Sequence, residues 1–141
     1  MSRIYWDSML FVYFLEGHSQ FGPRVRQIHQ EIIRRGDSLC TSIFTVGELL
    51  TGPEKTKAFL RVKETKEYFQ SEEIVLIPFT IRTAEVYAKI RAANSVLPAD
   101  AIHLASAAEA QADLFLTNDK KLQRLNIPGI KFIAGLDGKF I

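Results

Sequence analysis

The sequence predicts an α/β domain with a short, mostly parallel sheet. Three observations carry this expectation: five short apolar runs alternate with longer segments of helical periodicity, proline or glycine stands at several boundaries, and no low-complexity linker or internal repeat divides the 141 residues. Strands separated by helices return to the sheet in the same direction, because the right-handed crossover takes up the length of a helix. Residues 1–141 therefore read as one domain, long enough to bury a core without disulfides.

Each element has a local reason. Ile4, Tyr5 and Trp6 make a first strand over 3–6, and after Asp7 and Ser8 the apolar run 9–15 reads as a buried helix. Gly22 and Pro23 open a second helix, with Val25, Ile28 and Ile32 on its inner face and Gly36 closing it after Arg34 and Arg35. Residues 38–41 form a second strand, after which Ser42 or Thr45 caps a helix that carries Glu48, Leu49 and Leu50 and ends at Gly52 and Pro53. A charged helix is expected from about 54 to 70, with Phe59, Val62 and Phe69 as its apolar contacts, then a third strand over 73–77 that stops at Pro78. Thr80 starts a helix with Ile81, Ala84 and Ala88 as its stripe. Pro98 opens an alanine-rich helix whose Ala101, Leu104, Ala105, Ala108 and Ala112 form a narrow face suited to close packing on a sheet. The fourth strand is expected over 113–117, a short helix from Asn118 and Asp119, and a fifth strand over 130–133.

Composition sets outer limits. With 47% hydrophobic and 24% charged residues the chain matches an ordinary soluble globular protein and is unlike a disordered one. A net charge of +2 permits contact with a polyanion without requiring it. The single cysteine, Cys40, rules out an internal disulfide and a zinc ribbon, reads as a buried strand residue, and points to the reducing cytoplasm. The N-terminus reaches Asp7 too early for a signal peptide, and no apolar run approaches the ~20 residues of a membrane span. The expectation is a soluble protein that stays in the cytoplasm.

The acidic residues then stand out by position. In a parallel sheet every strand-to-helix turn gathers on one edge, where ligands bind beyond the carboxyl ends of the strands. Asp7 follows the first strand, Glu48 lies in the helix after the second, and Asp119 follows the fourth. Taken singly, Asp119, Asp100 and the Thr45 to Glu48 spacing all read equally as helix-start residues that cap free amides. Asp7 is different. Tyr5, Trp6, Leu10 and Phe11 around it imply burial, a buried carboxylate needs a partner, and no Lys or Arg follows nearby to supply one. Like charges brought together raise each other's pKa and cost stability, so such a cluster suits a hard divalent cation with oxygen ligands, Mg²⁺ or Mn²⁺.

The residues around these acids resemble the PIN-domain family, and most closely the VapC-type toxins of toxin-antitoxin pairs. The resemblance rests on Tyr5, Trp6, Asp7 and Ser8; on Thr41, Ser42, Thr45, Glu48 and Leu49; on the run from Leu97 to Ala105; and on Phe115 to Asp119, in that order along the chain. It implies a three-layer α/β/α sandwich and an acidic pocket for one or two Mg²⁺ or Mn²⁺ ions. Asp7, Glu48, Asp100 and Asp119 fall on the family's acidic positions; only the resemblance brings Asp100 to the other three. Asp7 and Asp100 are expected as direct ligands, with Glu48 and Asp119 as further ligands or as carboxylates that orient water. Ser8 and Thr117 are expected to hydrogen-bond these acids or to cap helices. Met9 departs from the pattern, since many relatives carry a polar residue there.

The activity implied is metal-dependent endoribonucleolytic hydrolysis of RNA, with no nucleophilic side chain. Lys120, Lys121 and Arg124 are candidates for holding substrate phosphates, or equally a solvated face. His103, three residues after Asp100, reads as a packed or exposed helical histidine and is not counted in the site. The implied partners are a small antitoxin, whose peptide fills the groove, and a second copy of the chain, which pairs through the helices of 48–70. A haloacid-dehalogenase-like site would need a second acid close to Asp7, and Ser8 and Met9 offer none. A non-catalytic PIN-like scaffold that binds RNA or protein and a housekeeping RNA-processing nuclease are the alternatives, and the complete acid set argues against the first of them.

Overall fold

A computed structural model describes residues 1–138. In chain order the elements are β1 (Arg3–Trp6), α1 (Ser8–Leu15), α2 (Gly22–Arg35), β2 (Ser38–Ser42), α3 (Ile43–Lys55), α4 (Phe59–Phe69), β3 (Ile74–Ile77), α5 (Ile81–Ala93), α6 (Pro98–Glu109), β4 (Leu114–Leu116), a 3₁₀ turn (Leu122–Arg124) and β5 (Phe132–Ala134). The strands pair in the order β3-β2-β1-β4-β5, and every pairing is parallel. The chain builds outward from β1 to β3 on one side, then crosses back to add β4 and β5 on the other. The strand order thus reverses between β1 and β4, the point at which an open parallel sheet leaves a crevice beyond its strand ends.

Alternation along the strands divides the core into two layers. Tyr5 and Phe115 point to one face, where they pack with Cys40, Ile77, Ile90 and the small side chains of α6. Ile4, Trp6 and Leu116 point to the other, against Leu10 and Phe11 of α1, Val25, Ile28 and Ile32 of α2, and Phe69 of α4. That is the period of two expected of strands covered on both sides, and it makes the three-layer α/β/α sandwich. Burial in the first layer pushes the Cys40 thiol up to about 12, so it behaves as a small apolar residue.

Several expectations need correction. Gly52 and Pro53 do not end α3, which runs on to Lys55: a proline in the last turn removes only one intrahelical bond, and the break comes instead at Lys57, whose φ is 56°. The charged helix begins at Phe59 and not near 54, and Phe59 itself is 66% exposed, leaving Val62 half-buried and Phe69 buried as the inner contacts. The stripe of α5 is rotated. Ile81 is exposed, Ala84 is only half-buried and Ala88 is exposed, whereas Thr83, Val86, Tyr87 and Ile90 face α6 and the sheet. No regular helix starts at Asn118 and Asp119; a turn leads into the 3₁₀ segment Leu122–Arg124. The fifth strand is displaced to Phe132–Ala134. Among the described residues, no helix is long and apolar enough to cross a membrane.

The pairing of β1 with β4 is sealed by Tyr5 and Phe115, which are partners in register and stack with ring centroids 5.0 Å apart. Phe115→Ala is expected to cost about 3–5 kcal/mol, as for a fully buried aromatic truncated in a packed layer. Urea denaturation checks this through a lower midpoint at unchanged slope.

Candidate active site

The carboxyl edge of the sheet opens into a pocket of about 330 Å³ lined by Asp7, Ser8, Met9, Tyr13, Glu48, Ala99, Asp100, His103, Asn118 and Asp119. All four acids singled out from the sequence therefore face one space, Asp100 included. Each arrives by a different route. Asp7 is the N-cap of α1, held at the end of β1 by its backbone N–H, which donates to the Leu116 carbonyl across the sheet at 3.2 Å. Glu48 lies within α3, a helix capped by Ser42, whose hydroxyl accepts from the Phe44 N–H at 3.0 Å. The capping box suggested by Thr45 and Glu48 does not form, and the Glu48 carboxylate instead accepts from His103 Nε2 at 2.7 Å. Asp100 sits in the first turn of α6 behind Pro98. Asp119 follows β4, its N–H donating to Thr117 Oγ1 at 3.1 Å.

These side chains differ in how far they are satisfied. Asp119 does cap its own turn, since its Oδ1 accepts from the Lys121 N–H at 2.8 Å, while it also borders the pocket. Asp7 Oδ1 is buried and has no hydrogen-bond partner. Burial pushes the Asp7 carboxyl above the usual carboxylate range, and the Thr117 hydroxyl, His103 and the backbone N–H groups of Leu10 and Met9 oppose that push only in part. Asp100 is also raised, first by burial and then by the neighbouring Asp119 charge; His103 pulls it down and Glu48 adds to the rise. The pocket is an assembly of carboxylates that are costly to ionise together.

An all-oxygen donor set with an orphaned buried carboxylate oxygen matches the chemistry of a hard divalent cation such as Mg²⁺ or Mn²⁺. Among the described residues, no three acidic, histidine or cysteine side chains stand as a ready-made cage. The carboxylates wall the pocket, and Glu48 Oε1 is engaged by His103 Nε2.

The remaining expected residues divide. Ser8 lines the pocket, and Thr117 is buried and supports Asp119 through its hydroxyl. Met9 lines it too, at 46% exposure, and so places a thioether where a polar group was expected. Lys120, Lys121 and Arg124 are exposed and stand outside the acidic pocket; Lys120 borders an adjoining hollow with Phe21, Arg24, Asn118 and Gln123. Three pocket residues were not anticipated. Tyr13 carries the only hydroxyl in the C-terminal part of an otherwise apolar α1, a polar tip that needs a partner, and it accepts from Asn118 Nδ2 at 3.3 Å. Asn118 stood beside Asp119 in the sequence with no role attached. His103 is 3% exposed and hydrogen-bonded at both ring nitrogens. A larger hollow of about 600 Å³ lies at the opposite edge of the sheet, but its acids Asp37 and Asp113 are ion-paired with Arg35 and Lys131.

Fold and pocket together define an α/β protein with carboxylates gathered at the switch point of a parallel sheet. The chain belongs to the PIN domain family, whose sequence profile matches residues 4–128. No curated protein matches the sequence. Among solved structures, the fold is similar to VapBC2 from Rickettsia felis bound to a promoter DNA fragment, at a TM-score of 0.70 and 16% identity, covering 94% of this chain and 98% of that one. It is similar to DNA-bound VapBC from Salmonella typhimurium at a TM-score of 0.68 and 23% identity, covering 96% and 99%. A toxin-antitoxin complex from Klebsiella pneumoniae matches at 0.67 and 18%, covering 90% and 94%.

The raised Asp7 and Asp100 carboxyls have a consequence for the metal-free protein. A carboxyl whose pKa is higher folded than unfolded contributes stability below the unfolded pKa and loses it as pH rises through the folded pKa. Asp7→Asn removes one of these two burdens, at the more deeply buried carboxyl. In excess chelator the variant is expected to be more stable than the wild type by about 1–2 kcal/mol at pH 8, with the gap closing toward pH 4. Chemical denaturation at several pH values checks this, and a variant less stable than the wild type at pH 8 contradicts the burial of an unpartnered charge.

Proposed function

We propose that this protein is a Mg²⁺- or Mn²⁺-dependent endoribonuclease, the VapC-like toxin of a toxin-antitoxin pair, with Asp7, Glu48, Asp100 and Asp119 as its catalytic carboxylates. The observation that carries the reading is Asp7 Oδ1, a buried carboxylate oxygen without a partner in a pocket walled by three further acids. Such an arrangement costs folding stability, and a bound cation is what offsets that cost. The same observation weighs against a non-catalytic scaffold, in which nothing would hold four acids together.

Asp7 and Asp100 would hold the ion, with Glu48 and Asp119 completing the ligand set or orienting water. When bound, the metal supplies positive charge for activating a water and for neutralising the phosphodiester. Thr117 Oγ1 accepts from the Asp119 backbone N–H, and its hydroxyl restrains Asp7, while Ser8 lines the pocket. Lys120, which lines the adjoining hollow, would meet a phosphate of the same strand, with Lys121 and Arg124 further along that exposed segment.

The toxin reading draws on the likeness to VapBC structures and on apolar side chains exposed along α3 and α4. Phe59 and Leu60 of α4 are 66% and 69% exposed, within the 48–70 region where pairing with a second copy is expected, and Ile43 at the start of α3 is 47% exposed.

The test is cleavage of RNA by the purified protein. Cleavage is expected with Mg²⁺ or Mn²⁺ and absent in excess chelator, and Asp7→Asn and Asp100→Asn are each expected to lower the rate about 10³-fold, equivalent to about 4 kcal/mol of lost transition-state stabilisation. Undiminished cleavage by both variants, or in chelator, overturns the assignment.

A further inference from the structure

We propose that Tyr5 and His103 form a positioning relay that fixes Glu48 by its Oε1 and turns Oε2 to the acidic pocket. The proposal rests on the reading of that pocket as a metal site. His103 and Tyr5 are positioning residues in it, since each acts through Glu48.

The relay is a closed path through three elements. The Ser42 backbone N–H, at the start of α3, donates to the Tyr5 hydroxyl at 3.2 Å; that hydroxyl meets His103 Nδ1 at 2.7 Å; and His103 Nε2 meets Glu48 Oε1, again on α3, at 2.7 Å. Tyr5 comes from β1, two residues before Asp7, and His103 from α6, three residues after Asp100 and so on the same side of that helix. The three elements tied together are those that deliver Asp7, Glu48 and Asp100. With the Tyr5 hydroxyl occupying Nδ1, the imidazole carries a hydrogen on Nε2, where it meets a carboxylate that can only accept.

Burial makes the arrangement rigid. Tyr5 is 0% and His103 3% exposed, whereas the Glu48 side chain keeps 30% exposure at the pocket wall. The imidazole is also clamped by rings, with the Tyr5 centroid at 5.9 Å and 73° and the Phe44 centroid at 5.7 Å and 65°. A histidine in such a place must satisfy both ring nitrogens, and among the described residues the acid it hydrogen-bonds is Glu48. A glutamate, with its flexible side-chain torsions, has several rotamers open to it. Committing Oε1 to a fixed donor leaves one orientation, and a ligand held in one orientation binds a cation without first losing side-chain entropy.

Mn²⁺ titration calorimetry on the full chain tests this, with no need for turnover. His103→Leu is expected to weaken Mn²⁺ binding about 10- to 100-fold. His103→Gln, which restores a donor near the Nε2 position, is expected to recover most of the loss. In a Glu48→Ala background His103→Leu should have no further effect, a result that a merely structural histidine would not give. Unchanged Mn²⁺ affinity in folded His103→Leu, or an equal loss with and without Glu48, overturns the relay. The ¹⁵N spectrum of the wild-type histidines gives a metal-free check: His103 must bear a hydrogen on Nε2, and a purely Nδ1–H tautomer overturns the relay even where His103→Leu does not fold. Failure of the wild type to bind Mn²⁺ overturns the metal-site reading and the proposal with it, whereas binding that His103→Leu leaves intact overturns the proposal alone.

Discussion

Parallel pairing of β1 with both β2 and β4 is the constraint on which the rest of the molecule depends. Because β1 lies at the centre and its neighbours run the same way, the segments leaving β1, β2 and β4 all emerge at one edge, and the reversal of strand order between β1 and β4 leaves the crevice there. Asp7 ends the central strand and Asp119 follows its neighbour, so these two acids flank the crevice by topology alone. The two helices that supply Glu48 and Asp100 reach the same edge because α3 starts directly from β2 and α6 packs its alanine face under the sheet.

What topology gathers, electrostatics resists. Asp7 and Asp100 are both held above the usual carboxylate range, mainly by burial, and Asp119 and Glu48 add repulsion at Asp100. The protein meets part of this strain with hydrogen bonds: the Thr117 hydroxyl on Asp7, the Lys121 backbone N–H on Asp119, and His103 on Glu48. One oxygen, Asp7 Oδ1, is left out. A folded domain that keeps a buried carboxylate oxygen without a partner carries a local instability that function explains better than packing does. The surrounding core is conventional: apolar residues of β1 alternate between two packed layers, and the site sits where that regularity stops.

Much of this was legible in the sequence, for identifiable reasons. The elements most clearly bounded by glycine, proline and cap residues were placed well: β1, α2 closed by Gly36, α5 opened by Thr80, and α6 opened by Pro98. The errors fell where local signals conflict with packing. Pro53 looked like a stop but lies in a last turn, and α5 turned its stripe toward α6 by one position because Thr83 and Ile90, not Ile81, meet the core. At the site, Asp7 stood out by the apolar residues around it, the topology brought Glu48 and Asp119 to the same edge, and Asp100 joined them only through the family resemblance. His103 was not, because a helical histidine gains meaning only from what it touches. Its partners, Tyr5 and Glu48, are 98 and 55 residues away in the chain. Tyr13 and Asn118 escaped notice for the same reason, being joined across 105 residues.

The central claim is that the four carboxylates exist to hold a divalent cation. Anomalous diffraction at the manganese edge, from crystals of the protein grown with Mn²⁺, tests this most directly. The account predicts a peak within the pocket of Asp7, Glu48, Asp100 and Asp119, with oxygen ligands at about 2.0–2.2 Å and Asp7 among them. Crystals saturated with Mn²⁺ that show no peak between these side chains, or show one only elsewhere on the chain, would contradict it.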